Sequence, residues 1–146
     1  MLPALEAALI GGGLLLYMQV GSSGMFAKMS DADLIARSDV IVEAELIGQT
    51  RVTLSPSEAP LTLGVLRIDE AFKGVRDESL LLLVLASPDR LRSSSDISYQ
   101  KGQSGLWFLR ARAPGLYLAD HPQRFLAATN ATALEAMKKT LKSQSP

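Results

Sequence analysis

Cysteine is absent from the 146-residue chain. That absence excludes disulfides, thiol catalysis, Cys-ligated zinc, iron–sulfur clusters and bacterial lipid attachment through an N-terminal cysteine. It leaves the compartment open, because a cysteine-free domain folds in oxidising and reducing surroundings alike. His121 is the sole histidine, and no grouping of His, Asp or Glu has the density of a metal site. Asp31, Asp33 and Asp39 sit near a short helix, and the first two read as helix-start chemistry. No metal and no cofactor are expected. Net charge is also missing, with 15 bases against 15 acids. A nucleic-acid binder ordinarily carries a strong basic bias. The balance is uneven along the chain. Residues 28–88 hold ten acids and six bases, and residues 89–146 four acids and nine bases.

What the chain has is an uncharged, largely apolar run at its N-terminus, Ala7 to Ala27 (AALIGGGLLLYMQVGSSGMFA). An apolar helix of about 20 residues spans a bilayer core of roughly 30 Å. The strongly apolar part, Ala7 to Val20, has the length of a signal-peptide core. Glu6 stands where such a peptide carries Lys or Arg, and small residues at Ser23 and Gly24 suit cleavage. Residues 1–27 are therefore expected to be a signal peptide or a transmembrane anchor, and residues 28–146 one domain. A hydrophobic helix packed on a cytosolic domain is the alternative. Gly11-Gly12-Gly13 lacks the G-K-[ST] that a phosphate loop requires.

Beyond Lys28 the pattern is β-rich. Ser30 followed by Asp33 resembles a capping box and predicts a short helix over residues 31–37 that packs Leu34 and Ile35. From Val40 to Ile47 the period is two, with Val40, Val42, Ala44 and Leu46 opposite Glu43 and Glu45. This predicts a half-buried antiparallel strand, continued past a bulge at Gly48 through residues 49–54. Prolines mark residues 55–60 as a loop. Strand character resumes at Leu61–Ala71, with an apolar phase shift expected at a Gly64 kink. Ser79–Leu85 (SLLLLVL) predicts a central strand covered on both faces, followed by a polar excursion, Ser87–Asp96. Gly102 and Gly105 bracket a turn before the aromatic strand Leu106–Leu109, and Ala113-Pro114-Gly115 predicts a hairpin into Leu116–Ala119. Thr132 with Glu135 predicts a capped C-terminal helix burying Leu134, Met137 and Leu141, with Lys138, Lys139 and Lys142 near its end. Five strands, two of them long and bent, predict a mainly β fold: a small, partly open barrel of the OB type with short flanking helices.

The segments Ser38–Ala44, Val65–Gly74, Tyr99–Leu109 and Gly115–Phe125 together cover most of residues 38–125. Their order resembles a family of uncharacterised bacterial envelope proteins whose domain is similar to the OB-like barrels of the netrin and tissue-inhibitor type. The resemblance implies an envelope location and a binding or scaffolding role, and it brings no catalytic residues. Protease inhibition, which depends on cysteines in the netrin-type relatives, is not carried over.

No catalytic residue is expected. Gly102-Gln103-Ser104-Gly105 lacks the G-x-S-x-G spacing of a nucleophile elbow, and Asp120 cannot easily orient the adjacent His121. His121-Pro122 reads as a turn with a local imidazole hydrogen bond. The candidate binding residues are Tyr99, Gln103, Trp107, His121 and Arg124, in segments that mix aromatic and polar groups in loops. The expected function is a non-catalytic envelope domain that meets the membrane through residues 7–27 and binds a protein or an envelope polymer. The alternative is a cytosolic single-stranded nucleic-acid module, gripping bases with Tyr99, Trp107, Phe108, Tyr117 or Phe125 beside Arg110, Arg112 and Arg124. Nucleic acid is the less expected partner, because export removes it. Trp107 and Phe108 are consecutive, so at least one of them must be core.

Overall fold

The computed structural model describes residues 27–53, 55–85 and 97–144. The described helices and strands belong to one compact unit, drawn from Met29–Arg92 and Asp96–Pro146. The expected leader and the polar excursion Ser87–Asp96 lie outside the described residues, apart from Ala27. No helix among the described residues is long and apolar enough to cross a membrane.

Ser30 caps helix α1 (Asp31–Ala36), its hydroxyl accepting from the Asp33 amide at 3.1 Å. The helix buries Leu34 and leaves Ile35 half-buried. Strand β1 (Val40–Val52) comes next and pairs antiparallel with β2 (Leu61–Lys73), both 13 residues long. Register shifts between Leu46 and Gly48, and at two earlier points, bend this ribbon as the sequence leads one to expect. Strand β3 (Leu80–Leu85) returns against β2. Further along the chain, β4 (Ser104–Ala113) pairs antiparallel with β1 over Val40–Glu45. A turn at Pro114-Gly115 leads into β5 (Leu116–Leu118), which pairs back on β4. Gly115 sits at φ +80°, a conformation strained for other residues.

Strand β5 also meets β3 in parallel, through two pairs only, Leu82 with Leu116 and Leu83 with Tyr117. The five strands thus close into a ring in the order β1-β2-β3-β5-β4 and back to β1. A sixth strand, β6 (Phe125–Ala127), was not expected from sequence; it adds to β4 beside Gly105–Trp107. Gly105 is required there, because a Cβ would strike the Leu126 carbonyl oxygen.

Two cores result. Inside the ring lie Val40, Val42, Ala44, Leu46, Leu66, Leu81, Leu83, Leu85, Trp107 and Leu109. On the outer side of β1 and β4, helix α1 and the C-terminal helix α2 (Ala131–Gln144) bury Leu34, Ile41, Leu106, Phe108, Leu134, Met137 and Leu141. Trp107 and Phe108 are both completely buried, one in each core.

Three expectations need correction. Thr132 does not cap α2; it lies within the helix, whose first turn closes from the Leu134 amide to the Asn130 carbonyl at 2.9 Å. The apolar phase of β2 does not shift at Gly64. Gly64 points inward, where a Cβ would approach the Leu46 and Leu85 side chains, and Leu66 follows on the same face. Leu63 and Val65 belong to the outer face, opposite Val84 and Leu82. Finally, β3 is not covered on both sides. Leu81, Leu83 and Leu85 are buried, whereas Leu80 and Leu82 are 50% and 37% exposed. The helical core covers the outer side of β1 and β4 and reaches Phe72 of β2; on the outer side of β3, Val84 is half-buried and Leu80 and Leu82 are the exposed positions.

Candidate functional site

The five residues singled out by sequence do not form one surface. Trp107 is fully buried, and its indole donates to the Ala44 carbonyl at 3.0 Å. Its ring lies 4.2 Å from that of Phe125, tilted by 36°, and meets Tyr99 edge-on at 5.0 Å. Tyr99 donates its hydroxyl to the Ala119 carbonyl at 2.8 Å. Burial, with the Asp120 carboxylate nearby, raises its phenol well above the ordinary value. Tyr99 and Phe125, both half-buried, thus pack against the buried Trp107 at the ring interior.

Arg124 is likewise buried, 4% exposed. It ends a single 3-10 turn, Pro122–Arg124, that His121 caps by accepting from the Gln123 amide through Nδ1 at 3.1 Å. The guanidinium donates to the Phe108 carbonyl at 2.9 Å, the Ser38 hydroxyl at 3.1 Å and the Arg37 carbonyl at 3.5 Å. Arg124 is thus a tie between the end of α1 and β4. Desolvation lowers its pKa, against the favourable charge of Asp120. Gln103 is half-exposed, and its side-chain oxygen accepts from the Gln100 amide at 2.6 Å. Gln123, not singled out by sequence, clamps the chain entry instead. Its amide side chain bonds both the carbonyl and the amide of Met29, at 2.8 and 2.7 Å.

Several surface cations are engaged as well. Arg110 pairs with Asp120 at 2.5 Å, an arrangement that lowers the Asp120 pKa. Arg67 pairs with Glu45 at 2.7 Å, and Lys138 with Glu43 at 3.0 Å. Among the described residues no group of three or more His, Asp or Glu is placed to hold a metal ion.

Two features have the character of a docking surface. One is an open groove of about 450 Å³ between α1, α2 and the 3-10 turn, floored by Leu34, Phe108, Leu126 and Met137. The other is the outer face of β2 and β3, where Val65, Leu80, Leu82 and Val84 lie on one side of adjoining strands. Of these only Leu80 and Leu82 are exposed; Val65 and Val84 are half-buried beside them, and Leu63 on the same side is buried. Sequence reasoning missed this face because every residue from Leu80 to Leu85 is apolar, so alternation leaves no mark. No protein-family model matches the chain, and no curated protein matches it significantly.

Proposed function

We propose that this chain is a non-catalytic binding or scaffold domain of the bacterial cell envelope. In this reading residues 1–27 serve as export signal or membrane anchor, and the five-stranded ring is an OB-like barrel. The ring order, with a single parallel contact between β3 and β5, supports a small, partly open Greek-key barrel of the OB type. The observation that carries the functional reading is the composition of the β2–β3 outer face. OB barrels bind oligonucleotides and oligosaccharides there, yet here the face presents Val65, Leu80 and Leu82, with Arg67 held by Glu45. Apolar groups flanked by a neutralised cation suit the apolar surface of another protein. They do not suit a phosphate backbone, which needs free positive charge.

Fractionation of cells expressing the full chain, followed by intact-mass measurement, tests the location. Membrane-bound full mass, or an exported form lacking the first 23–27 residues or so, is the expected result. A full-length soluble cytosolic protein removes the envelope reading. Salt-sensitive binding of a single-stranded oligonucleotide then brings the nucleic-acid alternative forward.

A further inference from the structure

Strand β1 outlasts its neighbour β4. Their pairing runs from Val40 to Glu45, and the last backbone bonds join Leu46 to Gly102 and Gln103. From Gly48 to Val52 the strand continues its ladder with β2 alone, through Leu61–Val65. Among the described residues no element besides β2 sends a backbone hydrogen bond to residues 47–52; the one contact there is from a side chain, Gln49 Nε2 donating to the Tyr99 carbonyl at 3.4 Å. Every second N–H and C=O of that stretch therefore points into an open edge. Proteins usually blunt such an edge with proline, lysine or a bulge. Here the register from Gly48 to Val52 is regular, and Arg51 is its only charge.

We infer that this edge pairs antiparallel with the same edge of a second copy, about a two-fold axis at Thr50. The chemistry of the segment selects this register. Opposed residues in a sheet share a face, and Gln49 and Arg51 pair with Gly64 and Thr62, whose positions on β2 point into the ring. Centring on Thr50 sets Gln49 across from Arg51 of the second copy, so no like charges are opposed. Thr50 meets Thr50, a favourable cross-strand pair. Val52 falls opposite Gly48, where the space a Cβ would occupy is open to 4 Å. Each side chain thus finds a suitable counterpart in an identical strand. The inference stands independently of where the protein resides.

The cysteine-free chain makes the test direct. Single cysteines are placed in the full-length protein at Thr50→Cys, Gln49→Cys and, in the exposed loop, Glu58→Cys, and disulfide-linked dimers are followed over time in mild oxidant. Opposed residues at Thr50 lie within bridging distance, whereas two copies of residue 49 lie two positions apart, beyond the roughly 7 Å limit. Dimer should form from Thr50→Cys about tenfold faster than from either control. Chains with Gln49→Cys mixed with chains carrying Arg51→Cys should link to one another in the same register, which covers a Thr50→Cys protein that folds poorly. Equal rates at all three positions, no dimer in either design, or a link from residue 50 to a different polypeptide overturns the inference.

Discussion

At the residue scale, burial decides more than residue type. Trp107 and Arg124 carry the side chains most often used at binding surfaces, yet both are consumed by internal hydrogen bonds. Replacing Arg124 with Leu leaves the Phe108 carbonyl without its donor, while the Ser38 hydroxyl keeps its bond to the Leu34 carbonyl. One orphaned buried group costs about 1–3 kcal/mol, so urea denaturation should show a loss of that order. Arg124→Lys should recover only part of it, because an ammonium cannot reproduce the guanidinium fork. Tyr99 makes a pH prediction with a definite sign. Its folded-state pKa lies above the free value of 10.0, so the folded protein holds the proton more tightly than the unfolded chain. The stability this confers is complete below pH 10 and is lost as the pH rises past it. The loss is at most about 1.4 kcal/mol per pH unit. Stability curves between pH 9 and 11 should show this slope in the parent and a flatter one in Tyr99→Phe.

At the scale of elements, legibility followed contrast between faces. Strand β1 was readable because Glu43 and Glu45 alternate with buried Val42, Ala44 and Leu46. Strand β3 was not, since leucine on both faces erases the period, and β6 is too short at three residues to carry one. The aromatic strand was half readable. Consecutive residues must face opposite ways, but only the structure shows a second core under the helices that buries Phe108 as fully as Trp107. Of the candidate site, the His121 turn was legible, because its hydrogen bond is local. The Arg124 tie was not, as its partners lie 16 and 86 residues away. Helix α2 is held to the ring by charge as well as by leucine, with Lys138 near Glu43 of β1 and Glu70 of β2. Lys138→Ala should destabilise by roughly 0.5–1 kcal/mol in low salt and by much less in 1 M salt, where screening weakens ion pairs. Thermal unfolding at the two salt concentrations checks this.

For the whole molecule, the apolar outer face of β2 and β3 separates stability from interaction. Leu80 and Leu82 are half and over a third exposed, so the double change Leu80→Ser, Leu82→Ser should cost about 1–3 kcal/mol of unfolding free energy, well short of the loss from two core leucines. A dye that fluoresces on apolar surfaces should bind the double variant less than the parent. Unchanged dye binding would place the sticky surface elsewhere, for example in the groove over Leu34 and Met137.

The two-residue contact of β3 with β5 has a mechanical consequence. It is the clasp of the ring, far shorter than the β1–β2 seam. Hydrogen exchange should therefore find Leu83 and Tyr117 among the first ring amides to lose protection. Water entering there would reach the indole of Trp107, so the red shift of its emission should report the unclasping before the helices melt.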